Sequence, residues 1–161
     1  MPTANWTAYA AADTAVASAD LNALASGTAA ANFRLGAAID NSSSGYLYGD
    51  LEIVIRDATP ADSTITTGTG SPFLDVYIIR NLDDGTRYGT TNGGSTAGPT
   101  AAQYLAGSVV LPASTAVGVI IVPGLILPPA HFKIMINNQL GVTFPSNNNC
   151  LCRLYRYGEE A

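Results

Sequence analysis

The groups in this chain able to do chemistry are few: a lone histidine, His131, the cysteines Cys150 and Cys152, the carboxylates Asp50 and Glu52, and eight tyrosines. Nucleophilic catalysis needs a base beside the nucleophile. His131 opens a strand just after Pro128-Pro129-Ala130, where a partly exposed imidazole carries no catalytic implication. Glycoside hydrolysis needs two carboxylates facing each other across a groove. Asp50 and Glu52 instead share a strand face with Tyr46, Tyr48 and Arg56, a face that reads as solvated or interfacial. Cys150 and Cys152, two residues apart, point to one side of a strand and are poorly placed to bridge each other. A zinc site would need two further ligands, of which His131 supplies at most one. Two buried, reduced thiols are expected.

Other motifs fail in the same way. The segment Thr67-Gly68-Thr69-Gly70-Ser71-Pro72 precedes no helix and holds no lysine, so it is no phosphate cradle. Asn81, Asp83 and Asp84 fit a tight Asp-Gly turn better than a calcium loop. Asn5-Trp6-Thr7 and Asn41-Ser42-Ser43 match the glycosylation sequon, but no secretory signal accompanies them. The chain is therefore expected to be no enzyme and to hold no metal or cofactor. What remains is aromatic surface: Tyr46 and Tyr48 on one strand face, Tyr155 and Tyr157 on another, and Trp6 and Tyr9 on an N-terminal arm. Tyr and Trp serve both protein interfaces and carbohydrate platforms, and they also line the rims of cores. The residues leave these uses open, so a host surface glycan stands beside a protein partner as a candidate ligand.

These side chains must be positioned by strands. From Asn32 onward the hydrophobic period is two: Leu47, Gly49, Leu51, Ile53 and Ile55 fall on one face of Gly45 to Asp57, with Val54 breaking the pattern. Leu74, Val76 and Ile78 do so in Pro72 to Asn81. Further strands are expected over 32–39, 86–90, 104–111, 116–127, 131–137 and 150–157, with a Gly, Pro or Asn signal between nearly every pair. The expected inward set is Leu51, Ile53, Ile55, Leu74, Val76, Ile78, Val119, Ile121, Phe132, Ile134 and Ile136. Residues 1–31 read as an Ala-rich arm with a short helix from Ser18, its N-cap, to Ser26, ended by Gly27. Residues 32–161 read as one all-β domain, an antiparallel β-sandwich of jelly-roll type.

Only 12% of residues are charged, against roughly 25% in an ordinary soluble domain. A surface of Thr, Ser, Asn, Gly and Ala is poorly defended against association, since few charges must be desolvated at contact. A subunit that works packed against others is expected, as a homo-oligomer. The net charge of −5 and the lack of a basic stripe argue against nucleic acid. The most apolar run, 117–127, is broken by Gly118, Pro123 and Gly124 and is too short to span a bilayer, so no membrane partner is expected. With no positively charged, apolar leader at Met1-Pro2-Thr3-Ala4-Asn5-Trp6, folding in a cytoplasm is expected.

Three stretches carry a family likeness: the Ala/Thr-rich arm leading into 19–27, the segment Leu127-Pro128-Pro129-Ala130-His131-Phe132-Lys133-Ile134-Met135-Ile136-Asn137-Asn138, and the closing Leu151-Cys152-Arg153-Leu154-Tyr155-Arg156-Tyr157 before an acidic end. In architecture and texture, over most of its length, the chain resembles the small decoration (cement) and accessory virion proteins of tailed bacteriophages. That resemblance implies a non-enzymatic structural protein of the virion, made in the host cytoplasm. It would bind the outer capsid surface and clamp major capsid proteins, as a homotrimer. A tail, baseplate or head-fibre subunit shares the same texture, and no functional residue is carried over.

Overall fold

In a computed structural model, residues 8–27, 32–56, 64–81, 104–146 and 149–158 are described. Trp6, the Asn5 sequon, the strand expected over 86–90 and the Asp-Gly turn before it lie outside them. The elements are β1 (Asp13–Val16), α1 (Ser18–Leu21), β2 (Phe33–Ile39), β3 (Tyr48–Val54), β4 (Ile65–Thr66), β5 (Phe73–Arg80), β6 (Leu105–Val110), β7 (Ala116–Val117), β8 (Val119–Ile126), β9 (Phe132–Gln139) and β10 (Leu151–Tyr157).

Every strand pairing among the described residues is antiparallel, and the fold is all-β as the period of two requires. The pairing is nested. β1 pairs with β10, β2 with β9, β3 with β8, β4 with β7 and β5 with β6, so the second half of the chain runs back along the first. Two more pairings, β10 with β3 and β9 with β5, join the ladders into sheets ordered β1-β10-β3-β8 and β2-β9-β5-β6. Leu51, Ile53 and Leu154 of the first sheet and Leu74, Val76, Ile134 and Ile136 of the second meet in one core. At about 1.5–3 kcal/mol for each buried aliphatic side chain, this shared core is the main stabilising term. β9 and β5 are buried on both faces, because Phe33, Leu35, Tyr77, Ile79 and Met135 form a second cluster on the far side of their sheet.

Three expectations need correction. Val119 and Ile121, expected inward, are 54% and 58% exposed, while Ile120, Val122 and Leu125 are buried. β8 is apolar at both parities, so alternation carries no phase information there. Leu47 is likewise exposed, because β3 begins one residue later. The helix is a single turn, with Ala17 rather than Ser18 at its N-cap. Ser18 Oγ donates instead to Cys150 O at 2.6 Å. Beyond Leu21 the backbone turns to tertiary partners: Ala23 N donates to Pro145 O, and Leu24 O accepts from Phe144 N. Leu21 and Leu24 both reach the core. A helix this short has little stability of its own to resist that exchange.

Both cysteines are free and buried, as expected. Burial pushes the Cys152 thiol up to about 12 and raises that of Cys150. Neither is a nucleophile near neutral pH.

The sheets approach each other along two edges. At one, β1 lies across β2 at Gly36, where an added Cβ would stand 1.6 Å from Ala15 O. At the other, β6 meets β8 at Gly107, where an added Cβ would stand 2.8 Å from Val122 Cγ1.

Candidate functional site

Neighbouring strands at matched register bring the tyrosines together. In β3, Gly49, Leu51 and Ile53 are buried, so Tyr48, Asp50 and Glu52 point outward. β10 pairs with it so that Tyr157 faces Tyr48, Tyr155 faces Asp50 and Arg153 faces Glu52. The two tyrosine faces foreseen separately are thus one face of one sheet. Ahead of β1, Ala10 N donates to Arg156 O at 2.9 Å, which carries the chain over that face and adds Tyr9.

The cluster is held by its carboxylates. Asp50 is the hub: its Oδ2 accepts from Tyr9 Oη at 2.6 Å, and its Oδ1 from Gly124 N at 2.8 Å and Tyr157 Oη at 3.3 Å. Gly124, at φ +66°, belongs to a bulge where Gly49 pairs with Leu125 but Leu51 with Val122. A left-handed residue opposite a register shift suits glycine, and the extra residue turns its amide onto Asp50. Glu52 Oε2 accepts from Tyr155 Oη at 3.1 Å, and Arg153 Nη1 stands 3.9 Å from the same oxygen. The rings of Tyr9 and Tyr155 cross at 70°, those of Tyr9 and Tyr157 at 87°, and Tyr48 stacks on Tyr157 at 25°. The hydrogen bond to Asp50 raises the Tyr9 phenol above its usual range. Burial first, then Asp50, does the same to Tyr157.

Between these groups lies a recess of about 230 Å³ lined by Tyr9, Asp50, Glu52, Ile121 and Tyr155. Ile121 reaches it because it pairs with Glu52 across the β3–β8 ladder. Beyond the recess, β8 exposes Val119, Ile121 and Ile126, and β6 exposes Leu105 and Val110. These apolar side chains repeat along two adjoining edge strands, β6 and β8.

Tyr46 does not join the cluster. It precedes β3, packs against the core and lies under the Arg156 guanidinium, 5.4 Å from its ring centroid. Arg156 falls on the inward parity of β10 and closes that end of the core. Its Nε lies 2.7 Å from Asp13 Oδ2, and its Nη1 donates to Asp40 O and Asn41 Oδ1. Asn41 itself is buried, its amide donating to Tyr46 O and Pro128 O, so this sequon is a structural asparagine. His131 Nε2 stands 3.6 Å from Asp40 Oδ2. The Asp40 carboxyl is lowered mainly by its bonds from Ser42, whose hydroxyl donates to it rather than to the imidazole. No nucleophile–base relation exists in that group.

The sequence reading missed the Asp50 hub, the Gly124 amide and Ile121. Pro123-Gly124 inside an apolar run was the available signal of a bulge. Comparison of the chain with protein-family models, with curated proteins and with solved structures gives no match.

Proposed function

We propose that this protein is a non-enzymatic structural subunit of a phage virion, a decoration or cement protein that binds the outer capsid surface and stabilises it. Its partners in this reading are the major capsid protein and further copies of itself. The observation that carries the proposal is the apolar edge. Val119, Ile121, Ile126, Leu105 and Val110 stand exposed beside a locked tyrosine face, in a chain with 12% charged residues. A monomer in solution gains nothing from such an edge and risks aggregation, whereas a subunit of a repetitive shell covers it. Many weak copies then act together on one particle.

The finer fold belongs to the same proposal. The nested pairing of five strand pairs, folded into sheets β1-β10-β3-β8 and β2-β9-β5-β6, supports a β-sandwich of jelly-roll type, an architecture used for rigid shells and binding modules alike. The crossing of the tyrosine rings favours a protein over a glycan ligand, because sugars stack on a flat, open ring face. Virion cryo-electron microscopy, with binding of purified protein to emptied, expanded heads, tests the reading. Density on the capsid exterior and saturable binding to heads are expected. Presence on tails alone would replace the cement role with the tail or baseplate one.

A further inference from the structure

We infer that copies of this chain join through Arg80 of one copy entering the Tyr9–Asp50–Glu52–Tyr155 recess of the next. The inference rests on the reading of the protein as an assembled subunit and names the contact that assembles it.

The recess has the size and chemistry of a receptor for one cationic side chain. Its volume of about 230 Å³ falls below the ~300 Å³ at which pockets for drug-sized ligands begin. Two carboxylates, two tyrosine rings and Ile121 line it, and among the described residues no cation does. Arg153 is not among the lining residues; its Nη1 stands 3.9 Å from Glu52 Oε2, the oxygen that also accepts from Tyr155. Asp50 is fully engaged by neutral donors, but Glu52 Oε1 has no partner among the described residues. Aromatic faces over carboxylates favour a guanidinium, which is planar, weakly hydrated and able to stack while it pairs.

The chain supplies the matching group. Among the described cations, Arg34 donates to Asp20 O, Arg156 is paired with Asp13, Arg153 neighbours Glu52, and Arg56 and Lys133 have partners. Arg80 is the exception: exposed, at the end of β5, with no partner among the described residues. It continues the inward parity of Leu74, Val76 and Ile78 past the end of the core. There it lines a cleft of about 530 Å³ with Tyr104, Leu105, Gly124 and Ile126. The cationic cleft and the anionic recess thus flank one strand, β8: Ile126 and Gly124 line the cleft, Ile121 lines the recess, and the Gly124 amide donates to Asp50. Seating Arg80 in a neighbour's recess brings the exposed Ile121 and Ile126 of β8 into the same contact. Charge complementarity and apolar burial then act together.

The test uses the full chain and sedimentation across a concentration series, with circular dichroism to establish that each variant is folded. Arg80→Ala and Glu52→Gln are each expected to weaken self-association at least about tenfold, and added salt to weaken it further. Arg80→Glu and Glu52→Arg should each abolish association, and the two changes in one chain should recover it. A wild-type chain that stays monomeric throughout overturns the inference, as does a folded double reversal no better than the single ones. Binding to emptied heads, run in parallel, separates the two proposals. A monomeric wild type that still binds heads loses this contact and keeps the capsid role, whereas charge-dependent association without head binding keeps the contact and loses the role.

Discussion

The two edges where the sheets meet are built in opposite ways. At the β1/β2 edge, backbone lies on backbone: Gly36 has no room for a side chain, Ala15 and Val16 are buried, and the Asp13–Arg156 pair closes the end. At the β6/β8 edge, Gly107 meets only side-chain tips, those of Val122 and Leu125, and apolar side chains face outward. One edge is finished within the chain. The other leaves Leu105, Val110, Val119, Ile121 and Ile126 exposed, and the contrast separates residues that hold the fold from residues that stand at its surface.

The largest effect should come at the finished edge. Gly36→Ala would place Cβ 1.6 Å from a carbonyl oxygen, a clash that no rotamer change relieves. A loss of about 3 kcal/mol or more is expected, with β1 displaced. Gly107→Ala meets a side chain that can rotate, and about 1 kcal/mol is expected. Urea denaturation of both variants compares them directly. Equal losses would erase the contrast between the edges.

Asn138 ranks next. It is buried, with Nδ2 donating to Leu24 O at 3.0 Å and Val142 O at 2.9 Å, and Oδ1 accepting from Leu140 N at 3.0 Å. It ties the segment after α1 to the turn after β9. Asn138→Ala removes three hydrogen bonds and strands the buried Leu140 amide, while Leu24 O keeps its bond from Phe144 N, so about 1–2 kcal/mol should be lost, with faster hydrogen exchange at Phe144 N. An unchanged exchange rate there would mean that the tie is redundant.

How much of this was legible depends on whether a feature is local. β3, β5 and β9 announced themselves, because Leu51/Ile53, Leu74/Val76 and Ile134/Ile136 alternate with partners of different character. β8 did not, since an edge strand with an apolar outer face looks like a strand buried on both. β1 was hidden in an Ala-rich stretch with only four residues to show a period. The tyrosine cluster was half legible: the residue types were right, but their union depends on a register between residues about a hundred positions apart. Tyr46, one strand-period from Tyr48, belonged with Arg156 instead because the strand starts between them.

On the open edge, stability and association should separate. Ile126, 70% exposed, contributes little to the folded chain, and Ile126→Ser should change stability by no more than about 0.5 kcal/mol. Self-association measured by sedimentation should nonetheless weaken. A variant that loses stability as much as association would place Ile126 in the core's support and make the two edges alike.

The smallest effect lies on the polar flank of β8, where the question is whether the tyrosines are held or only neighbours. The Tyr9 phenol is raised by its bond to Asp50, that of Tyr157 by burial and then Asp50, and that of Tyr77 by burial and then Asp75. Below pH ~10, the ordinary tyrosine value, each of the three is neutral in the folded and the unfolded chain, and their contribution is fully present. As pH rises past it, the unfolded chain releases these protons first. It then binds fewer protons than the folded one, so stability falls with pH and is lost through the raised folded values. Tyrosinate absorbance should therefore show Tyr9, Tyr77 and Tyr157 titrating above the ordinary range in the folded protein, with one such phenol fewer in Tyr9→Phe, whose stability at neutral pH should barely change. The fall in stability above pH ~10 should also be shallower in that variant. If every tyrosine titrates together at the ordinary value, Asp50 is not holding the face, and the recess on that side of β8 has no fixed walls.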